Sequence, residues 1–232
     1  MGAAPASEAY CPDVRRWPAG ADDLIREQHG FADDRPPPFQ PAGSIALGGC
    51  FVCFARGGTG PGHAGDPGWA GAALGGETAV ATGFAGSAYE PGLLALREGP
   101  LLEAAVRALP AAPDALLVNA TGCDHPRRVG LALHLGAILD LPTAGVTHRP
   151  LLAAGEWPPD EAGARTPLVL DDELVGYWLR TRPGRRPLAV HAGWATDPET
   201  AVDLVLGGCR GRRTPEPIRL ARRAARTARA GR

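Results

Sequence analysis

The sequence contains no lysine, so all 24 of its basic residues are arginine. Together with 32 glycines and 24 prolines, this usage points to a coding bias, and the number of arginines is therefore weak evidence of function. Their distribution is more informative, because nine arginines fall in 210–232 against a single acid, Glu216. This segment is predicted to be a basic tail that follows a phosphate backbone or, alternatively, a solubilising helix at the end of the domain.

Cysteine is also scarce, and the five residues form an odd number. A chain of 232 residues with 44% hydrophobic content can bury a core without disulfides, which excludes a small disulfide-stapled scaffold. No run approaches the ~20 apolar residues of a membrane span, which excludes an integral membrane protein. With no apolar signal segment near Met1, we expect a reduced, cytoplasmic protein with no membrane partner.

The composition changes along the chain and predicts three parts. Residues 1–43 are rich in proline and acids and are expected to be an irregular lead-in with a short helix over 22–28. Residues 44–209 are expected to form one domain rather than two small ones. Residues 210–232 form the basic tail.

Hydrophobic periodicity predicts a three-strand meander followed by alternating helices and strands. The meander covers 44–55, 69–74 and 77–83, with a turn at Gly75-Gly76. A helical pattern over 93–109 is interrupted at Gly99-Pro100. The remaining predictions are strands at 115–119, 143–147, 174–181 and 188–192, a helix over 127–139, and a helix capped by Thr196 or Asp197 that runs to Cys209. This order indicates an α/β protein with a mixed sheet.

Four segments carry short motifs in a fixed order. They read YEPGLLALRE at 89–98, NATGCDHPRR at 119–128, LPTAGV at 141–146 and TPEPIR at 214–219. The second follows a predicted strand and precedes a predicted helix, which is typical of a site at a strand end. In this order the four segments resemble the endonuclease V family, whose corresponding patterns are PY-aliphatic-PG ending in FRE, DGxGxxHPRR, PTxGV and PEPTR.

The resemblance implies a ribonuclease H-like fold. It also implies metal-assisted hydrolysis of a phosphodiester near hypoxanthine, with the cut displaced to the 3′ side. The expected partners are DNA or RNA with deaminated bases, and the expected cofactor of an active protein is Mg²⁺ or Mn²⁺, whereas an inactive one needs none. The sequence does not distinguish DNA from RNA, and it leaves the oligomeric state open.

The implied metal site is degraded in this chain. The first-strand Asp of the family falls at Gly49, Cys50 or Phe51, yet no acid occurs between Asp34 and Asp66, so no register restores it. Asn119 replaces the second Asp, Trp194 takes the place of the family's late His, and His148 lies near the position of its Lys. Glu98 alone remains of the acidic ligands. The resemblance therefore implies a catalytic set of Glu98, Asn119 and His125, and a degraded metal site of Glu98 and Asn119.

Two other ligand sets are open at this point. An active nuclease would need a rearranged site on Glu98 with Asp124 or Asp66. Zinc would need a set drawn from Cys50, Cys53, Cys123 and His125, although residues three apart on a strand point to opposite faces. The alternative for the cysteines is burial as small apolar side chains.

The parts implied for recognition are better preserved. Tyr89, Pro91 and Gly92 correspond to the family's wedge, which separates strands while a base is extruded. Gly122 would let a base edge approach the backbone closely. Phosphate contacts are expected from His125, Arg127, Arg128 and His148. The structural alternatives are that His125 caps the helix, that the two arginines pair with surface acids and that Tyr89 packs.

Three hypotheses follow. The chain is a divergent family member that binds hypoxanthine-containing nucleic acid but cuts weakly or not at all. Alternatively, it is an active nuclease with a rearranged metal site. In the third hypothesis, it is an interaction or small-molecule-binding protein that keeps the fold as a scaffold.

Overall fold

The computed structural model describes residues 15–41, 43–55 and 60–231. Its helices are α1 (Ala21–Asp33), α2 (Leu94–Arg107), α3 (Leu131–Leu139), α4 (Pro198–Gly208) and α5 (Glu216–Ala230). Its strands are β1 (Leu47–Phe54), β2 (Pro67–Leu74), β3 (Glu77–Phe84), β4 (Ala115–Val118), β5 (Thr143–Thr147), β6 (Arg165–Leu170), β7 (Glu173–Leu179) and β8 (Leu188–Ala192).

One eight-stranded sheet, in the order β3-β2-β1-β4-β5-β8-β7-β6, organises the protein. The predicted antiparallel meander forms one side, with its turn at Gly75-Gly76, where both φ angles are positive. β1, β4 and β5 run parallel in the middle. β8, β7 and β6 complete the sheet with antiparallel pairs. The carboxyl ends of β1, β4 and β5 therefore meet at one edge.

Alternation along the central strands divides the core between the two sheet faces. Leu116 and Val118 pack towards α1, α2 and α3, whereas Ala115 and Leu117 pack towards α4 and α5. A third cluster joins α3 to β7 and β8. Helices thus cover both faces of the sheet, as the sequence predicts for an α/β protein.

α5 is an integral part of this core, although the sequence analysis predicted a basic tail after residue 209. Ile218, Ala221 and Ala225 are buried on its inner side. The helix lies so close to the sheet that a Cβ on Gly71 would come within 2.3 Å of the Ala221 carbonyl oxygen. Small residues at every third or fourth position create the docking surface, and the arginines fall on the remaining faces.

Other elements depart from the predictions in informative ways. The lead-in contains a full helix, α1, that is longer than the expected 22–28. α2 continues through Pro100, whose missing N–H leaves the Leu96 carbonyl without its helical donor. α3 begins at Leu131, because residues 125–128 form a turn and Gly130 is extended before it. β6 has no counterpart among the predicted strands.

The β8 prediction is confirmed at both ends, and Asp197 caps α4 by accepting a hydrogen bond from the Thr200 amide. Across the described residues, no helix is both long enough and apolar enough to span a bilayer.

Candidate functional site

Asn119 follows β4 directly, and the parallel pairing with β1 identifies its neighbour. Cys50 pairs with Val118, and the backbone N–H of Asn119 donates to the Cys50 carbonyl at 3.4 Å. The next residue of β1, Phe51, consequently lies beside Asn119 at the sheet edge. Of the three positions that the sequence left open for the first-strand Asp, the structure favours Phe51.

A guanidinium group joins these two residues. Arg222, on α5, donates from Nη2 to Asn119 Oδ1 at 3.0 Å, and its guanidinium carbon lies 5.0 Å from the Phe51 ring centroid. Arg226, one turn later, lies 5.6 Å from the same centroid. The side-chain nitrogen of Asn119, Nδ2, in turn donates to the Val146 carbonyl at 3.1 Å. Both polar atoms of the Asn119 side chain are thus occupied by protein groups.

Glu98 approaches the same edge from α2. Burial raises the pKa of its carboxyl to about 7, against the lowering effect of Arg97. The pKa of the Cys50 thiol is raised mainly by burial and, to a smaller extent, by the charge of Glu98. The Glu98 carboxylate therefore lies near β1. Among the described residues, no hydrogen-bond donor or cation pairs with Glu98, since Arg97 pairs with Asp66 instead. Glu98 is therefore a carboxyl that ionises near pH 7 instead of near pH 4.5.

We expect Glu98→Gln to change the pH dependence of stability. Because the folded pKa lies above the ordinary value of 4.5, ionisation favours the unfolded chain, so stability falls as pH rises from 4.5 to about 7 and stays lower above. The glutamine variant should match the parent near pH 4.5 and exceed it at pH 8 by about 3 kcal/mol at most. Urea unfolding at both pH values measures this difference. The exposed Glu77→Gln serves as control, and a pH-independent offset for Glu98→Gln would contradict the expectation.

The divalent metal that the family resemblance implies does not fit these residues. Mg²⁺ and Mn²⁺ prefer charged oxygen ligands. Phe51 offers a ring, Asn119 offers a neutral amide already bonded to Arg222, and Glu98 is a single carboxyl whose pKa burial raises to about 7. Across residues 15–41, 43–55 and 60–231, no three His, Cys, Asp or Glu side chains gather as a metal site would require. The guanidinium group of Arg222 also lies beside the position that a metal cation would occupy, and its positive charge repels a cation.

The two carboxylates considered for a rearranged site are both engaged elsewhere. Asp66 accepts a hydrogen bond from Arg97 at 2.7 Å and another from the His63 amide at 2.8 Å, and the arginine is the leading cause of its lowered pKa. Asp124 is fully buried and accepts from three consecutive backbone amides, those of residues 151–153. Both carboxylates thus organise loops.

The cysteines and His125 proposed for zinc lie in separate environments. Cys50 belongs to the core under α2, and Cys123 belongs to the core between α3 and β8. The Cys123 thiol also receives a hydrogen bond from Arg35. Burial raises the pKa of both thiols, which disfavours the thiolate that zinc requires. Cys53 is half-buried, three residues after Cys50 on β1.

The predicted wedge loop, residues 89–92, is held at both of its ends, since the backbone amide of Tyr89 donates to the Gly62 carbonyl at 3.1 Å and the Gly92 carbonyl accepts from side chains. The Gly92 oxygen accepts from Arg127 Nη2 at 2.7 Å, lies 3.2 Å from His125 Nε2, and lies 3.5 Å from Gln28 Nε2. Arg127 Nε also donates to Gln28 Oε1 at 2.6 Å. This three-sided support leaves Tyr89 44% exposed at the loop tip, and Pro91 is exposed as well.

His125, Arg127 and Arg128 consequently make internal contacts. Burial, followed by the charge of Arg127, lowers the pKa of His125 to about 4, so the ring is neutral at pH 7. Arg128 pairs with Asp171 and Glu173, which is the structural alternative that the sequence left open for it. These residues position the wedge loop and the β6–β7 turn.

The structure also shows what surrounds three further residues of the predicted site, Gly122, His148 and Trp194. Gly122 is buried, and a Cβ there would lie 1.9 Å from the Ala192 carbonyl oxygen, so close packing against β8 requires this glycine. His148 is exposed and its Nδ1 lies 3.0 Å from Arg213 Nη1. Trp194 is buried in the core and packs edge-on against Phe31 at 5.6 Å, with Arg15 above its ring.

Sequence reasoning missed Arg222, Arg226 and Gln28 as parts of the site. The sequence pattern placed Arg222 and Arg226 only in a basic tail. Because they are four residues apart on a predicted helix with alanines between them, their spacing could have placed both side chains on one face of that helix. Gln28 gave no signal, because its contacts to Gly92 and Arg127 depend on how α1 docks.

The model of the endonuclease V family matches residues 75–223. Endonuclease V of Roseiflexus castenholzii is 44% identical over 133 residues, which are 57% of this chain and 60% of that protein. The match thus spans less than two thirds of the relative's own length. The family model covers more than half of this chain and therefore shows the family. The alignment with the relative covers too little of that protein to extend its activity to this chain.

Solved structures agree with this fold. The crystal structure of endonuclease V from Streptomyces avermitilis is similar with a TM-score of 0.82 and 32% identity, over 93% of this chain and 95% of that one. Endonuclease V of Ciona intestinalis, solved in complex with an inosine-containing DNA, is similar with a TM-score of 0.74 at 19% identity, over 90% of this chain and 98% of that one. The likeness confirms the predicted ribonuclease H-like fold.

Proposed function

Because the chain belongs to the endonuclease V family, we propose that it recognises hypoxanthine in nucleic acid while cutting the backbone weakly or not at all. The observation that carries the proposal is the contact of Arg222 with Asn119 and Phe51 at the strand ends. Metal-assisted hydrolysis needs carboxylates that hold the cation and so stabilise charge on phosphate oxygens. Phe51 and Asn119 supply none.

Recognition is supported by the wedge loop. Tyr89 is exposed at its tip, and Gly92 is bonded from three sides at its base. A preorganised loop loses little conformational entropy when a nucleic acid binds, so the aromatic ring is ready to stack on bases. The endonuclease V of Ciona intestinalis binds inosine-containing DNA, and this chain shares that fold. A role in nucleic-acid recognition is consistent with the cytoplasmic location that the sequence predicts. This location remains a prediction.

The test is a gel assay with purified protein. Single-stranded and duplex oligonucleotides, with and without one inosine, are incubated with Mg²⁺ or Mn²⁺, and shift and cleavage are scored together. A shift specific to inosine without cleavage supports the proposal. Metal-dependent cleavage beside inosine that Glu98→Ala abolishes would establish the rearranged nuclease instead. No shift and no cleavage would leave a protein that uses the fold as a scaffold.

We expect Tyr89→Ala to weaken binding to an inosine-bearing strand. Stacking of a base on an aromatic side chain contributes about 1–3 kcal/mol, so affinity for this strand should fall about tenfold. Fluorescence anisotropy with inosine and guanine strands measures both affinities. Trp157→Ala removes another exposed aromatic side chain, far along the sequence in the segment before β6, and should leave both affinities unchanged. Equal affinities of the parent protein for both strands would refute the selectivity.

A further inference from the structure

The strand-end site contains a group of arginines with little opposing charge. Arg222 and Arg226 extend from α5, and Arg213 lies on the segment before it, beside His148. The guanidinium carbons of Arg222 and Arg226 lie 5.0 Å and 5.6 Å from the same Phe51 ring centroid, and Arg213 Nη1 lies 3.0 Å from His148 Nδ1. Like charges gathered at one edge repel one another, and such repulsion is offset when an anion binds between them.

The one acid between residues 210 and 232, Glu216, does not neutralise this group. It pairs with Arg219, at 2.9 Å, one turn before Arg222. Neither Arg213, Arg222 nor Arg226 forms an ion pair with a carboxylate among the described residues.

Arg222 also keeps unused donors. Its Nη2 bonds to Asn119, but its Nε is buried and has no hydrogen-bond partner in the described part of the chain. A buried donor without a partner is costly, which leaves Arg222 only partly satisfied by the protein. Phosphate oxygens bond well to the outer Nη edge of such a guanidinium. Beside this residue, an open depression of about 400 Å³ is lined by Arg219, Arg222, Arg223, Arg226, Thr227 and Ala230.

We propose that Arg222, with Arg213 and Arg226, forms a phosphodiester-binding subsite at the position where the family resemblance implies a metal ion. The guanidinium groups contact the backbone phosphate directly. Asn119 holds Arg222 in place through a neutral acceptor that leaves its charge unpaired. Affinity through this subsite is independent of base identity and of divalent metal. The inference rests on the proposed function, which supplies the nucleic acid, and adds the group that holds its backbone.

The test uses the full chain and a single-stranded oligonucleotide of about 15 thymidines, a length that covers typical single-strand sites. Binding is measured by fluorescence anisotropy from 50 to 300 mM salt, with EDTA or with Mg²⁺. The parent should bind equally well in both. Arg222→Ala should weaken binding about tenfold and lower the slope of log affinity against log salt by about 0.7, as expected for one lost phosphate contact on a single strand.

Two comparison variants make the result specific. Asn119→Asp gives Arg222 a carboxylate partner, so it should weaken binding nearly as much as Arg222→Ala without removing the guanidinium. Arg107→Ala removes an arginine that pairs with Glu103 on α2 and should change nothing beyond a small effect of net charge. Melting temperatures confirm that each variant is folded.

The outcomes separate this inference from the proposed function. Unchanged affinity and slope for Arg222→Ala, or a tenfold loss of parent binding in EDTA, would overturn the subsite. If the inosine preference survives in that case, recognition stands without it. Conversely, Arg222-dependent binding without any inosine preference would retain the subsite and refute the proposed function.

Discussion

Restoring both acids, as Phe51→Asp with Asn119→Asp, is expected to leave Mn²⁺ binding weak, whereas the further change Arg222→Gln should create a stoichiometric site. In the double variant the guanidinium already touches both positions and pairs with the new carboxylates. A unit charge at ~4 Å contributes about 4 kcal/mol at an effective dielectric constant of ~20. Removing Arg222 therefore should tighten Mn²⁺ binding by at least about 100-fold.

Calorimetry and the electron paramagnetic resonance of free Mn²⁺ both count bound ions in these variants. The matched control is the double variant with Arg107→Gln, which has the same net charge but changes a distant arginine on α2. Tight binding in the double variant would show that Arg222 does not block the site.

Asp124→Ala is expected to destabilise the protein by about 4 kcal/mol, since three backbone amides, of which that of Ala153 is buried, lose a charged acceptor. The carboxylate accepts from Leu152 and Ala153 at 2.8 Å each, and from Leu151 as well. Its Oδ2 also lies 3.7 Å from Nδ1 of the buried His191. The loop that follows β5 is therefore fixed to the turn before α3 by this one side chain.

Urea unfolding at pH 7 measures the effect of this substitution. Asp124→Asn keeps one carboxyl-like oxygen and should give an intermediate loss. Asp203→Ala, on the exposed side of α4, should change the free energy of unfolding by less than about 0.5 kcal/mol. A loss below 1 kcal/mol for Asp124→Ala would mean that water replaces the carboxylate with little penalty.

Local patterns predicted those elements whose determinants lie within them. The strand β8 and the Asp197 cap of α4 are examples, because a short, continuously buried strand and a helix cap each depend on a few adjacent residues. β6 was missed because Pro167 interrupts its pattern, and its pairing with β7 includes a bulge after Leu168.

The site was predicted in part for the same reason. The losses at 119 and on β1 were visible in the sequence, since an absent carboxylate needs no tertiary information. The arrival of Arg222 was not visible, because it depends on α5 docking against Gly49 and Gly71 about 150 residues away in sequence. Likewise, the motif residues His125 and Arg127 were expected at phosphates, but Gln28 and Gly92 engage them within the protein.

A cation that belongs to the chain behaves differently from one that dissociates. A bound metal ion fills its site according to the free concentration of that metal, so a chelator or a competing ion empties or replaces it. Arg222 is covalently part of α5, so it is always present and cannot be exchanged. Its charge is spread over a planar group that donates hydrogen bonds but has no vacant orbital to activate a water molecule. If the proposed subsite is correct, an arginine in the place of a metal ion makes phosphate attraction permanent but cannot generate hydroxide.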